Sequence, residues 1–356
     1  MSDTPVRTNR KPSSSLWFHA LLFLATVITT TATGAIYVHP ERMLPIADGW
    51  TFSVPLLVIL LCHEFGHFTA ARLHGVKASL PYFLPLPPPI GMLGTLGAVI
   101  RMPPATDRRK LIDIGAAGPL AGLVVAIPIL FYGLSLSKVA PLVGVGMQEG
   151  NSLLYALMKF VVTGRWLPSN GEDIMLHPTA LAGWAGLLLT MINLLPFGQL
   201  DGGHVAVAYL GNRYTSFSRR LSPALLLLSV GVFAWVWFLT DSLLADPAVA
   251  KVLASQGVDS VSVALAAAMP WLVWFGMLRL MSFLAGGEHP AVDDKPLGRS
   301  RGVLFWLVVA VFVSIFMPVP LRFSIGKVDV SSTTTPTKAA TNNDDGGVDA
   351  QDDGGD

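Results

Sequence analysis

The chain reads as an all-α polytopic membrane protein of about six to seven transmembrane helices, broken once by a re-entrant loop or β-hairpin. Three observations predict this. Only 13% of its 356 residues are charged, about half the ~25% of an ordinary soluble domain. Mean hydropathy is +0.57. The apolar residues also come in blocks, near 16–38, 52–74, 111–136, 178–197, 221–240, 263–284 and 302–317, each approaching the ~20 residues that cross a bilayer.

Taken in order, residues 1–15 are basic and Ser-rich and are expected as a cytoplasmic N-terminal segment. The apolar run behind them, 16–38, is too long for a signal-peptide core and no small-residue cleavage site follows it. It is therefore expected as a retained helix. Segment 79–101, "SLPYFLPLPPPIGMLGTLGAVIR", is apolar but too rich in Pro and Gly to span. Non-helical backbone survives at membrane depth only where protein buries it or water lines it. A re-entrant loop or hairpin fits, the alternative being a Pro-rich linker on the cytoplasmic side. In the third block Gly118 and Gly122 form a small-xxx-small spacing that permits close helix approach. The loop 137–177 is expected to hold a short amphipathic helix around 151–163, lying at the interface. The block 302–317 is the shortest of the seven. Residues 324–356 turn to Thr, Asn, Asp and Gly without the spacing of a Ca²⁺ loop, which predicts a disordered acidic tail. The membrane domain is thus 16–323.

Charge sets orientation and excludes some partners. A cytoplasmic N-terminus puts 16 of the 24 Lys and Arg residues on the inner side, as the positive-inside rule prefers. A net charge of +1 gives no concentrated basic face, so nucleic acid is not an expected partner; the lipid bilayer is. The lone Cys62 excludes an internal disulfide and is expected to serve packing. The short N-terminus favours a bacterial inner membrane over an organellar one. Nothing in the sequence speaks to oligomeric state.

The second apolar block carries "LLCHEFGHFTAARLHG" (60–75). His63 and His67 stand four residues apart, so a helix projects both from one face. Two imidazoles so spaced can bind one Zn²⁺, with Glu64 beside them to take a proton from water. Unpaired ionisable groups are costly in hydrocarbon, and a shared metal relieves that cost. A catalytic zinc normally has three protein ligands and one open position. His74 lies past the useful end of the helix. The next candidate is Asp201 in "NLLPFGQLDGGH" (193–204), at the inner end of the fourth block and at the same predicted depth. On its own, Asp before two glycines is a turn signal; with the histidines it becomes the third ligand. His204, one turn on, is at most a supporting residue. His19, His39, His177 and His289 lie outside both motifs and are expected as ordinary interface residues.

These two motifs, in this order, resemble the site-2 protease family of intramembrane zinc metalloproteases. The family's H-E-x-x-H stands as His63-Glu64-Phe65-Gly66-His67. Its N-x-x-P-x-x-x-L-D-G is matched by Asn193, Pro196, Leu200, Asp201 and Gly202. "GTLGAVIRM" and "IDIGAAGPLAG" resemble the branch found in cyanobacteria and plastids, and the likeness runs from about residue 52 to 300. A PDZ insertion common in the family is missing, which puts substrate recruitment through one in doubt. The resemblance implies a three-helix catalytic core within about 52–208, and one zinc ion per chain held by His63, His67 and Asp201. It further implies Glu64 as general base, hydrolysis of peptide bonds in a transmembrane protein substrate, and Asn193 as a donor to the oxyanion or substrate backbone. Competing expectations are a membrane-anchored zinc peptidase acting on soluble or emerging polypeptides, and a catalytically silent membrane adaptor. A transporter would show paired interrupted helices in two related halves, and no such repeat is visible.

Overall fold

A computed structural model describes residues 16–38, 46–103, 107–142, 145–255, 257–284, 292–293 and 295–325. Its helices are α1 (Leu16–Val38), α2 (Trp50–Leu73), α3 (Arg108–Ser135), α4 (Leu153–Thr163), α5 (Pro178–Asn193), α6 (Asp201–Leu210), α7 (Tyr214–Leu244), α8 (Pro247–Ser255), α9 (Ser260–Leu284) and α10 (Arg299–Ile315). Among the described residues, six short strands pair two by two. All seven apolar blocks fall on helices. Among the described residues, five helical stretches are long and apolar enough to cross a membrane: Leu16–Val38, Ala47–Leu73, Arg108–Ser135, Asp201–Leu244 and Ser260–Leu280. Large apolar side chains such as Val124, Trp235 and Phe238 face outward, a surface that lipid, not water, tolerates. The fourth expected span is shorter than its block because Pro196 disfavours helix in the residue before it, and α5 stops at Asn193.

The centre is a bundle of α2, α3 and α5 closed over Phe52, Ile59, Ile112, Leu130, Trp184 and Leu187, all essentially inaccessible. Small residues let the backbones meet. A Cβ at Gly66 would lie 2.5 Å from the Ala117 carbonyl, and one at Gly183 would lie 2.7 Å from Leu130 Cα, so neither position admits a side chain without displacing a helix. The Trp184 indole donates to the Gly150 carbonyl at 3.0 Å, which satisfies its one donor.

Segment 79–101 is a hairpin. β1 (Tyr82–Pro85) runs antiparallel to β2 (Thr95–Val99), with Tyr82 opposite Val99 and an irregularity between Phe83 and Pro85. Helix α1 holds it at root and tip. His19 Nδ1 meets the Pro81 carbonyl at 3.0 Å, Thr29 donates to Gly94 O at 2.6 Å, and the Tyr37 hydroxyl donates to Met92 O at 2.6 Å. The exposed backbone polar groups are thus partly answered by protein, as membrane depth requires.

Arg108, Arg109, Lys110 and Arg301 gather at the end of the bundle where α3 begins. Arg301, opening α10, grips Asp113 of α3 with a fork of 3.0 and 2.7 Å bonds. His74 Nε2 lies 3.0 Å from the same carboxylate, and Lys110 donates to the His74 carbonyl at 3.1 Å. At the opposite end, β3 (Lys138–Pro141) pairs with β5 (Glu172–Met175), and β4 (Val145–Glu149) with β6 (Leu321–Ile325). Between them lies the expected amphipathic helix, α4, capped by Ser152 and ended by Gly164 at φ 71°. Lys159 is wholly buried there, 3.3 Å from Asp173 and 4.0 Å from Glu149. Burial pushes the Lys159 ammonium below its ordinary value and the Glu149 carboxyl above its own, against the attraction between them. Arg322 of β6 bonds Asp173 and Gln148. The expected tail begins inside this strand: residues 324–325 pair with Val145 and Gly146. The boundary moves accordingly, because β6 is held by a sheet partner and by its arginine. Residues 326–356 of that tail and the N-terminal segment 1–15 lie outside the described residues.

Candidate metal centre

The H-E-x-x-H residues lie in the C-terminal half of α2. His67 is six residues from the end of the helix, about 9 Å at 1.5 Å per residue. His63, Glu64 and His67 are all buried. Asp201 comes not from the end of α5 but from the start of α6, after the turn 194–200. That turn is tight because Gly202 packs on the Leu194 carbonyl and Gly203 would set a Cβ 2.5 Å from Gly198 O. Any side chain there would push Asp201 away from α2.

Two imidazole nitrogens and the two oxygens of one carboxylate converge. His63 Nε2 is 3.1 Å from Asp201 Oδ2, His67 Nε2 is 3.1 Å from Asp201 Oδ1, and the two Nε2 atoms are 3.2 Å apart. This is the one trio among the described residues that could hold a metal ion. The fit can be tested on orientation and spacing. His67 Nδ1 lies 2.8 Å from the Ile114 carbonyl, which can only accept, so the proton of a neutral ring is on Nδ1. Nε2 then turns a lone pair toward a carboxylate and a second imidazole, an arrangement that calls for a cation at its centre. The edge of a tetrahedron drawn with zinc–ligand bonds of about 2.0–2.1 Å is about 3.3 Å long, close to the 3.2 Å between the two Nε2 atoms. The donor set fits.

Helix α3 makes room for the rings. A Cβ on Gly118 would fall on the His67 imidazole, 2.5 Å from Cε1 and nearer still to Nε2 and Cδ2. One on Gly122 would lie 3.1 Å from His63 Cβ. Helix packing alone, the role expected for these glycines, is therefore only part of their use. The sequence holds a signal for the rest: the two glycines repeat the four-residue spacing of the two histidines.

Asn193, the last residue of α5, brings Nδ2 to 3.4 Å from His63 Nε2. Glu64, Asn193 and His204 line, together with the trio, a cavity of about 410 Å³. Ala98 and Val99 of β2, with Ile100, Met102 and Pro103 beyond them, also line it. Of the other histidines, His74 is engaged by Asp113. His19 packs its ring at a tilt against Tyr82, centroids 4.1 Å apart, while it holds the hairpin, and His177 caps α5 by accepting from Thr179 N. His39 and His289 lie outside the described residues.

Comparison with known proteins places the chain in a family. The profile of Peptidase family M50 matches residues 51–236, more than half of the chain. The chain belongs to peptidase family M50. A chloroplastic protein of Arabidopsis thaliana named as a probable zinc metalloprotease, EGY1, is 36% identical over 182 residues, covering 49% of this chain and 31% of its own. A chloroplastic probable zinc metalloprotease of Oryza sativa subsp. indica, EGY2, is 30% identical over 237 residues, covering 62% and 42%. A Neisseria meningitidis protein named as a putative zinc metalloprotease is 33% identical over 183 residues, covering 44% and 38%. The M50 chain thus spans less than half the length of these relatives. The plant relatives are named as chloroplastic, and the bacterial inner membrane expected from the short N-terminus finds no support in them.

Proposed function

We propose that this M50 chain is a zinc metalloprotease that cuts peptide bonds within transmembrane segments. The observation that carries the reading is a trio of two buried histidines and a half-buried aspartate on membrane-length helices, opening on a cavity lined by β2. His63, His67 and Asp201 would hold the zinc. Held there, zinc would supply Lewis acidity toward water and toward a peptide carbonyl. Glu64, on the helix turn between the two imidazoles and buried at the cavity wall, accepts the proton of the attacking water and hands it to the leaving amine. The Asn193 amide offers a donor to the developing oxyanion from beside His63. The Ile114 carbonyl holds the His67 ring so that Nε2 faces the other donors.

A transmembrane helix hides its peptide bonds, so the substrate must be held extended. The hairpin is a two-stranded sheet, and β2 contributes the cavity wall. Its edge can accept an extended chain as an added strand, with main-chain bonds replacing those lost from the helix. The basic end of the bundle faces the compartment from which the protein is inserted.

Glu64→Gln tests the reading. The amide leaves the three donors in place but cannot take up a proton. Zinc content should stay at wild-type level while cleavage of a transmembrane reporter in the same detergent preparation is lost. Near-wild-type cleavage by this variant would remove Glu64 from the base role. Membrane proteomes of cells carrying wild type and Glu64→Gln would then identify substrates, as fragments present only with the former. Fragments of soluble proteins alone would favour a peptidase acting outside the bilayer.

A further inference from the structure

Asp201 opens a helix of only ten residues, and the far end of that helix is held by a side chain from α3. Arg108 donates from Nε to the Ala208 carbonyl at 2.8 Å and from Nη2 to the Tyr209 carbonyl at 2.9 Å. These are among the last four carbonyls of α6, which have no partner within the helix. Gly211, at φ 56°, donates to Val207 O, and a Cβ there would lie 3.6 Å from the Arg108 guanidinium. A permanent cation with a rigid two-pronged donor set thus closes the negative end of the helix.

The two helices run antiparallel, and a second contact lies seven residues away on each. At Gly115 of α3 a Cβ would be 3.3 Å from the Asp201 carbonyl oxygen. Two fixed points about 10 Å apart along both axes define the axial register of α6 on α3. Arg108 is itself anchored. Asp107 caps α3 by accepting from Arg109 N at 2.9 Å, and the Arg108 backbone N–H donates to Asp293 at 3.2 Å. The same α3 presents the carbonyl that orients His67. A slide of α6 along α3 would therefore move the Asp201 carboxylate relative to both imidazoles.

We propose that Arg108 is a positioning residue that sets where the Asp201 carboxylate meets the His63 and His67 rings, by locking α6 to α3 from its far end. This rests on the reading of the trio as a metal site. The test is a double-mutant cycle on zinc affinity, measured by chelator competition on the full chain in detergent. Arg108→Gln in the wild-type background should weaken zinc by about tenfold, the lower end of what losing an outer partner of a metal ligand does. In an Asp201→Ala background, the same change should alter affinity by less than about twofold, because the ligand it positions is gone. Arg108→Lys should fall between, since one ammonium cannot fork to two carbonyls. An equal loss in both backgrounds would mean that the arginine supports the fold without regard to Asp201, and no loss in the first would mean it positions nothing. Either overturns the inference. If Asp201→Ala itself leaves zinc affinity unchanged, the metal reading falls, a result distinct from both. Should Arg108→Gln fail to fold, the cycle is run with Arg108→Lys, where a loss confined to the Asp201 background is again required.

Discussion

Gly118→Ala puts one methyl group where the His67 ring now lies. The added Cβ would be 2.5 Å from Cε1 and nearer to two other ring atoms, whereas ordinary contact begins near 3.4 Å. The ring and α3 must separate by about 1 Å or more. Helix α3 has little freedom to retreat from α2, since Gly133 and Leu130 already pack on the α5 backbone at Ala180 and Gly183, and Gly115 packs on His204 and Val205 of α6. The ring must swing instead, breaking its 2.8 Å bond to Ile114 and carrying Nε2 off the trio. Metal–ligand distances tolerate about ±0.2 Å, and a 1 Å misplacement at a reacting centre can cost about 100-fold. We therefore expect zinc affinity and cleavage both to fall by about 100-fold, with an overpacking cost of about 1–3 kcal/mol in stability. Gly122→Ala is the paired control. Its Cβ needs only a few tenths of an ångström from His63 Cβ, so its effect on zinc should stay under about tenfold. Zinc binding, reporter cleavage and melting temperature would be read on each purified variant. A Gly118→Ala protein that binds zinc and cleaves like wild type would show that the ring does not use this notch.

Asp201→Ala should lower both metal occupancy and activity by removing one of three donors, and Asp201→Asn should fall between; normal zinc content in both would leave Asp201 a mere turn residue. Proline at Ala98 or Val99 should reduce cleavage of a helical reporter with little loss of zinc, because it removes a ladder donor of β2. Ala98→Val keeps that N–H and should be milder, and wild-type cleavage by both proline variants would end the strand-addition role. Single cysteines at Ser218 and Ser169, placed after Cys62 is replaced, should label from opposite faces of the membrane, Ser218 from the basic side; labelling from one face would refute the topology.

The apolar blocks and the two motifs were legible because each rests on a strong local signal. A run of twenty apolar residues has few alternatives, and His63 and His67 share a face in any helix. Asp201 was legible as a residue but not as a place. The sequence shows an aspartate closing an apolar segment, whereas in the fold Pro196 ends α5 and the aspartate begins a new helix. The choice between re-entrant loop and hairpin was open because the pairing of Tyr82 with Val99 depends on a partner seventeen residues on and on α1 beyond it. The strand at 321–325 was missed for the same reason: "LRFSI" pairs with residues far upstream, and the composition change that marks the tail sets in beside it.

The case of α3 shows why chemistry-free residues can decide a site. It supplies none of the three donor side chains, yet each of the three depends on it. The Ile114 carbonyl orients one ring, Gly118 and Gly122 admit both, and Gly115 and Arg108 hold the helix that starts with Asp201. In water a misplaced imidazole can find solvent partners, whereas within the bilayer every polar group must be answered by protein. A cluster of ionisable groups there needs a neighbour that comes close enough to leave no gap and offers backbone acceptors at the right depth. A glycine-lined helix face does both. Pro119 adds to it, since it cannot donate to the Gly115 carbonyl and so loosens the ladder beside Ile114. Variants that keep every motif residue but fill this face should therefore fold as membrane proteins while losing the metal. A scan of α3 by zinc content, with helicity and melting as the fold control, would separate the positions that build the bundle from those that build the site.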